Sequence, residues 1–156
     1  MYDTKTMENP VAMQTSDEVN RHIRKETDEN VKFYSKHPEL IPGRLEELTE
    51  EWDIERTLAT NASTLSLVGL ILSLVADRRF LILPVLVMGF LLQHGLQGWC
   101  PPLPFFRQQG VRTKEEILRE RNLLKAIQGD YDDICVNAEA SVEERVNQAF
   151  RAFNEE

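Results

Sequence analysis

Apolar and polar positions are distributed very unevenly along the chain. Two long apolar segments, Leu58–Ala76 and Phe80–Leu96, are separated only by Asp77-Arg78-Arg79. Elsewhere apolar residues are sparse and recur at helical spacing. Ser16-Asp17-Glu18 can cap a helix through about Lys36, with Val19, Ile23 and Phe33 on a thin apolar stripe. Pro38 and Pro42 then interrupt the pattern. From Arg44, the residues Leu45, Leu48, Trp52 and Glu55 share one face. No helix breaker stands between Arg44 and Ala76, so the spacing predicts one helix running straight into the first apolar segment. Later, Thr113-Lys114-Glu115-Glu116 and Ser141-Val142-Glu143-Glu144 read as capping boxes for helices over about 114–128 and 142–154. Residues 1–15 are polar and contain Pro10, which predicts a disordered arm. No stretch alternates polar and apolar residues between turns, so the fold class is all-α.

The apolar segments have the length of membrane spans. At about 1.5 Å per residue, residues 58–76 extend roughly 28 Å, close to a hydrocarbon core of about 30 Å. The second span, about 80–97, contains Pro84, which either kinks the helix or sits in its first turn. The expected architecture is a transmembrane helical hairpin with cytoplasmic amphipathic helices on both sides. It divides into a polar N-terminal arm (1–43), the hairpin with its juxtamembrane helix (44–110) and C-terminal helices (111–156).

Charge sharpens this picture. The first 57 residues carry 14 acids and 8 bases, the last 58 carry 11 and 8, and between Leu58 and Gly98 only Asp77, Arg78 and Arg79 are charged. Arg44, Arg56, Arg107, Arg112 and Lys114 flank the outer ends of the spans, against two arginines in the turn, which favours cytoplasmic termini. Trp52 and Trp99 fall at the same membrane interface, and Arg78 and Arg79 at the opposite one. A net charge of −8 without a basic stripe argues against nucleic acid as a partner. The expected partners are the lipid bilayer and either a second copy or another membrane protein.

Within the first span Ala59, Ala62, Ser66, Gly69, Ser73 and Ala76 recur at spacings of 3 and 4 and form a stripe of small residues on one helical face. Such a stripe lets helices pack closely in lipid. It serves either a dimer seam or the contact with the second span. The three-residue turn makes the spans neighbours and favours the second role.

Candidate chemistry lies at the polar edge after the second span. Gln93 and Gln97 share a face, His94 lies beside them, and Cys100 follows, held by Pro101 and Pro102. Cys100 is a candidate reactive thiol or sulfur carrier with His94 as its base. The plainer alternative has Gln93, His94 and Gln97 satisfying the helix end and Cys100 packed as a small apolar residue, and it is preferred. Asp53 and Arg56 are spaced as an ion pair. With one His and one Cys at the edge and no CxxC, neither a metal site nor a cofactor is expected.

The run Gly98-Trp99-Cys100-Pro101-Pro102-Leu103 after an apolar hairpin resembles the YgaP-type transmembrane domain, a small bacterial inner-membrane domain of unknown function. The resemblance extends over about residues 44–130. It includes Glu51-Trp52-Asp53-Ile54-Glu55-Arg56, Asp77-Arg78-Arg79-Phe80 and Gly89-Phe90-Leu91-Leu92-Gln93-His94. It implies two inner-membrane helices with both ends cytoplasmic and supplies no catalytic residue. The reading that follows is a non-enzymatic membrane protein assembling with itself or a partner. The alternatives are a thiol redox or sulfur-relay protein using Cys100, and a soluble helical bundle that buries the apolar hairpin.

Overall fold

The structure, a computed structural model, describes residues 9–130. The expected helix over about 142–154, and Cys135, lie outside the described residues. Those described form seven α-helices: α1 (Pro10–Met13), α2 (Asp17–Lys36), α3 (Ile41–Glu50), α4 (Ile54–Val75), α5 (Ile82–Gln97), α6 (Leu103–Gln108) and α7 (Lys114–Gln128). Short 3-10 turns, Pro38–Leu40 and Arg78–Leu81, lead into α3 and α5. All regular elements among the described residues are helical. The chain forms two compact units, one from the residues through Glu26 with Glu51–Ile117, the other from Thr27–Glu50 with the chain from Leu118.

The first unit is built on the α4–α5 pair. Both helices are long and apolar enough to cross a membrane. Asp77 caps the 3-10 turn Arg78–Leu81 by accepting the Arg79 backbone N–H at 2.7 Å. Pro84 is the third residue of α5, where the missing N–H costs no intrahelical bond. The 3-10 turn and α5 together run 20 residues, Arg78–Gln97, so the second apolar segment keeps a length of roughly 30 Å. The two helices pack closely at Gly69. A Cβ there would lie 2.7 Å from the Pro84 ring and 3.2 Å from Leu83 Cβ.

The expected continuous helix from Arg44 to Ala76 is broken at Glu51-Trp52-Asp53. Tertiary contacts supply the reason. Asp53 caps α4 by accepting the Arg56 N–H at 2.7 Å. The Ile54 N–H is drawn to the Arg112 carbonyl at 2.9 Å, and Glu51 is held by the Arg112 guanidinium. Nor do Asp53 and Arg56 form the side-chain pair their spacing offered. The Arg56 guanidinium instead stacks 4.2 Å from the Trp52 ring centroid.

The described part of the expected disordered arm, Asn9–Thr15, is folded into the first unit. Asn9 caps α1 through the Val11 N–H at 2.8 Å, and Pro10 occupies the first turn. Val11 is buried in a core with Ile54, Leu58, Cys100 and Leu103, against which Trp99, Phe106 and Val111 pack. One buried valine gives this four-residue helix a tertiary reason to form that composition conceals.

In the second unit α3 starts at Ile41 rather than Arg44, with Pro42 inside its first turn. Ile41, Leu48 and Leu124 are buried. Glu120, also buried, receives Arg44 Nε at 2.9 Å and Asn30 Nδ2 at 3.4 Å. Arg44 also meets Glu47 at 2.9 Å.

Candidate functional site

The polar edge where α5 ends is part of the first unit. Gly98 ends the helix with φ at +67°, its N–H bonded to the His94 carbonyl at 2.7 Å. Its lack of a side chain is needed twice: for the left-handed backbone, and because a Cβ would meet Pro10 Cβ at 2.2 Å. The glycine therefore ends the span and seats α1 on it.

His94 is 5 % exposed, and its Nε2 lies 3.2 and 3.1 Å from the two carboxylate oxygens of Glu55 on α4. Its Nδ1 is buried without a hydrogen-bond partner. Cys100 is buried and unpaired in a disulfide. Burial pushes its thiol pKa up, the Leu103 N–H works in the opposite direction, and the nearby Glu55 carboxylate raises it further. Burial first, and the Glu55 charge with it, thus disfavour the thiolate that a reactive cysteine needs. His94 spends one nitrogen on Glu55 and makes no hydrogen bond to the thiol with the other. The edge has the residue types of a Cys–His–acid site without its geometry.

Arg107 on α6 carries the rest of the edge. It is 1 % exposed, and each of its five N–H groups has an acceptor. Nε donates to Thr15 Oγ1 at 3.2 Å, and Nη1 to the Val111 carbonyl at 3.0 Å and Glu116 Oε2 at 2.7 Å. Nη2 donates to Asn20 Oδ1 at 3.0 Å and Glu116 Oε1 at 2.9 Å. Glu116 also accepts the Thr113 N–H at 2.8 Å, while Thr113 Oγ1 accepts the Glu116 N–H at 3.3 Å. The capping box of α7 and the buried ion pair therefore share one carboxylate. Burial opposes the ionisation of Glu116, yet its bonds from Arg107 and Thr113, with the charges of Arg107 and Arg112, hold its pKa below the usual carboxylate value. Asn20 completes the lock, its amide donating to the Ala12 carbonyl at 2.8 Å. The α1 segment, the start of α2, α6 and α7 are joined through one guanidinium.

Between α4, α5 and α6 lies an apolar cleft of about 300 Å³ whose wall includes Leu58, Asn61, Phe90, Leu91, Cys100 and Phe106. Of the small-residue stripe, Ser66 and Gly69 are buried, Ala62 and Ser73 half-buried, and Ala59 and Ala76 exposed. Gln93 is half-buried and Gln97 exposed. Trp52 is exposed beneath Arg56, Trp99 is half-buried against the core, and Arg78 and Arg79 are exposed in the hairpin turn. Among the described residues no cluster of three or more His, Cys, Asp or Glu side chains could hold a metal. The residues that organise the edge, Glu55, Arg107, Glu116, Asn20 and Val11, are scattered from residue 11 to residue 116. Their only local signal is the capping box, which marks Glu116 as a helix residue and not as the partner of Arg107.

Comparison of the chain with models of known protein families, with curated proteins and with solved structures finds no match. The resemblance to the YgaP-type domain gains no support from these comparisons, and no residue takes a role from it. The described residues form an all-α fold with two helices of membrane-spanning length and composition, and no clear catalytic motif is found among them.

Proposed function

We propose that this chain is an integral protein of a bacterial inner membrane, anchored by α4 and α5 with both termini in the cytoplasm, and that it acts by assembly rather than by catalysis. One observation carries the membrane reading. Only 17 % of the apolar stretch of α4 and 11 % of that of α5 is buried. Leu74, Val75, Val85 and Leu96 are among the side chains turned outward. A soluble bundle would bury such helices, because exposed apolar patches of this extent belong to interfaces or to lipid. A bilayer removes the cost, and the polar edge then lies at the cytoplasmic interface.

The burial of Cys100, its raised pKa and the engagement of His94 with Glu55 weigh against the thiol-relay alternative. The test is fractionation of cells expressing the chain, followed by an alkaline carbonate wash. Retention in the pellet is the expected outcome. Release into the supernatant overturns the membrane reading and returns α4 and α5 to a soluble assembly.

A further inference from the structure

We infer that the cleft between α4, α5 and α6 is a binding site for one acyl chain of a bilayer phospholipid. The inference rests on the membrane reading above and adds a site and the class of its ligand.

The cleft follows from how the two long helices meet. They pack at Gly69, against Pro84 and Leu83, and are joined again where Glu55 meets His94. Between these two contacts, residues from Leu58 to Leu65 on α4 and from Val87 to Leu91 on α5 line a cleft of about 300 Å³. Cys100, Pro102 and Phe106 supply its remaining wall. Ala62 offers the cleft only a methyl group, so the seam is left unfilled there. Protein interiors pack to the density of organic crystals, and apolar cavities of about 150 Å³ already take up benzene. This space is larger.

The lining selects the chemistry of the occupant. Asn61 and the Cys100 thiol are the polar side chains among the lining residues, and none of the lining residues is charged. A hydrocarbon chain needs only such apolar surface. Asn61 adds one polar contact. One of its N–H groups is spent on the Thr57 carbonyl at 2.8 Å, and the other suits an ester carbonyl. A phospholipid chain ends in that uncharged ester. The carboxylate of a free fatty acid would find no cation among the lining residues.

The mouth of the cleft lies on the surface that the bilayer covers. Leu65 and Phe90 line it and are exposed, and both belong to the outward apolar surface of α4 and α5 that carries the membrane reading. On that reading a chain of the surrounding bilayer enters the cleft sideways, without crossing water.

The test reconstitutes the full chain in phosphatidylcholine vesicles that contain a trace of the same lipid with a diazirine midway along one acyl chain. After illumination the labelled residues are located by peptide mass spectrometry. Labelling is expected to concentrate on Leu65, Phe90 and Phe106, about ten-fold above Leu74, Val85 and Leu92, which are exposed elsewhere on α4 and α5. Even labelling of the two sets overturns the site. Ala62→Phe places a ring in the cleft and is expected to bring cleft labelling down to the level of the outer positions. Unchanged labelling in a variant with wild-type helical content refutes the site, and the wild-type distribution decides by itself where Ala62→Phe does not fold. A diazirine-bearing fatty acid in the same vesicles is expected to show no preference for the cleft. Preference by the free acid and not by the phospholipid overturns the assignment to a phospholipid. A carbonate wash of the vesicles separates the two readings. Release of the chain removes both, whereas retention with even labelling removes the cleft site alone.

Discussion

A single guanidinium joins four segments of the polar edge. Arg107 was legible in the sequence only as one of several flanking positive charges, yet in the fold it is buried and bonded through all five N–H groups. Removing one member of a buried pair leaves the other charge without compensation. Arg107→Met is therefore expected to cost about 3–5 kcal/mol in denaturant unfolding of the solubilised protein. Arg107→Lys should recover only part of this, since an ammonium cannot reproduce the fork on Glu116. The same pair sets a pH dependence. Glu116 has a folded pKa below its unfolded one, near 4.3. Its contribution is complete above that unfolded value and is lost as pH falls through the lowered folded value. Acid titration of stability should thus show a decline below about pH 4 that Glu116→Gln flattens. An unchanged acid limb in that variant would remove Glu116 as its source.

At the scale of elements, the hairpin depends on what fills the space between its helices. A Cβ on Gly69 would lie 2.7 Å from the Pro84 ring, closer than a real Cβ comes, and tightly against Leu83, whereas a Cβ on Gly89, also in an apolar helix, would meet nothing within 4 Å. Gly69→Leu should lower the thermal stability of the hairpin in micelles by about 1–3 kcal/mol through overpacking, and Gly89→Leu should leave it nearly unchanged. Equal effects would mean that the helices do not meet at Gly69. The stripe that includes Gly69 was legible from its 3–4 spacing. Its use was not, because spacing cannot say which neighbour occupies a face. The break at Glu51-Trp52-Asp53 was equally hidden. No residue there forbids a helix, and the chain turns because Asp53 caps α4 while Arg112 holds Glu51 and accepts the Ile54 N–H.

At the scale of the whole molecule, the proposed orientation gives the turn Asp77-Arg78-Arg79 to the outside and Lys114 to the cytoplasm. With the native cysteines replaced, Asp77→Cys should react with a membrane-impermeant maleimide in cells stripped of their outer envelope, and Lys114→Cys only after lysis. The reverse pattern would invert the protein. The charge count behind this orientation concerns the chain as it inserts. In the folded unit Arg107 and Arg112 are already held by Glu116 and Glu51, so neither is a free surface charge of the finished protein.

The sequence by itself determined the all-α class and the two long apolar helices. Both follow from local composition and period: uninterrupted apolar runs of about 20 residues, no alternation of the strand kind, and charge excluded from all but the turn between them. Tertiary structure alone decided what the polar residues do. It ordered Asn9–Thr15, because one valine finds a core and Pro10 finds the bare backbone of Gly98. It turned His94 to Glu55 and away from Cys100, and it gave Arg107 its five acceptors. The His94–Glu55 contact needs groups 39 residues apart to meet, and Arg107 reaches Thr15 and Asn20 across 92 and 87 residues; a pattern read over one or two helical turns carries no information about such meetings.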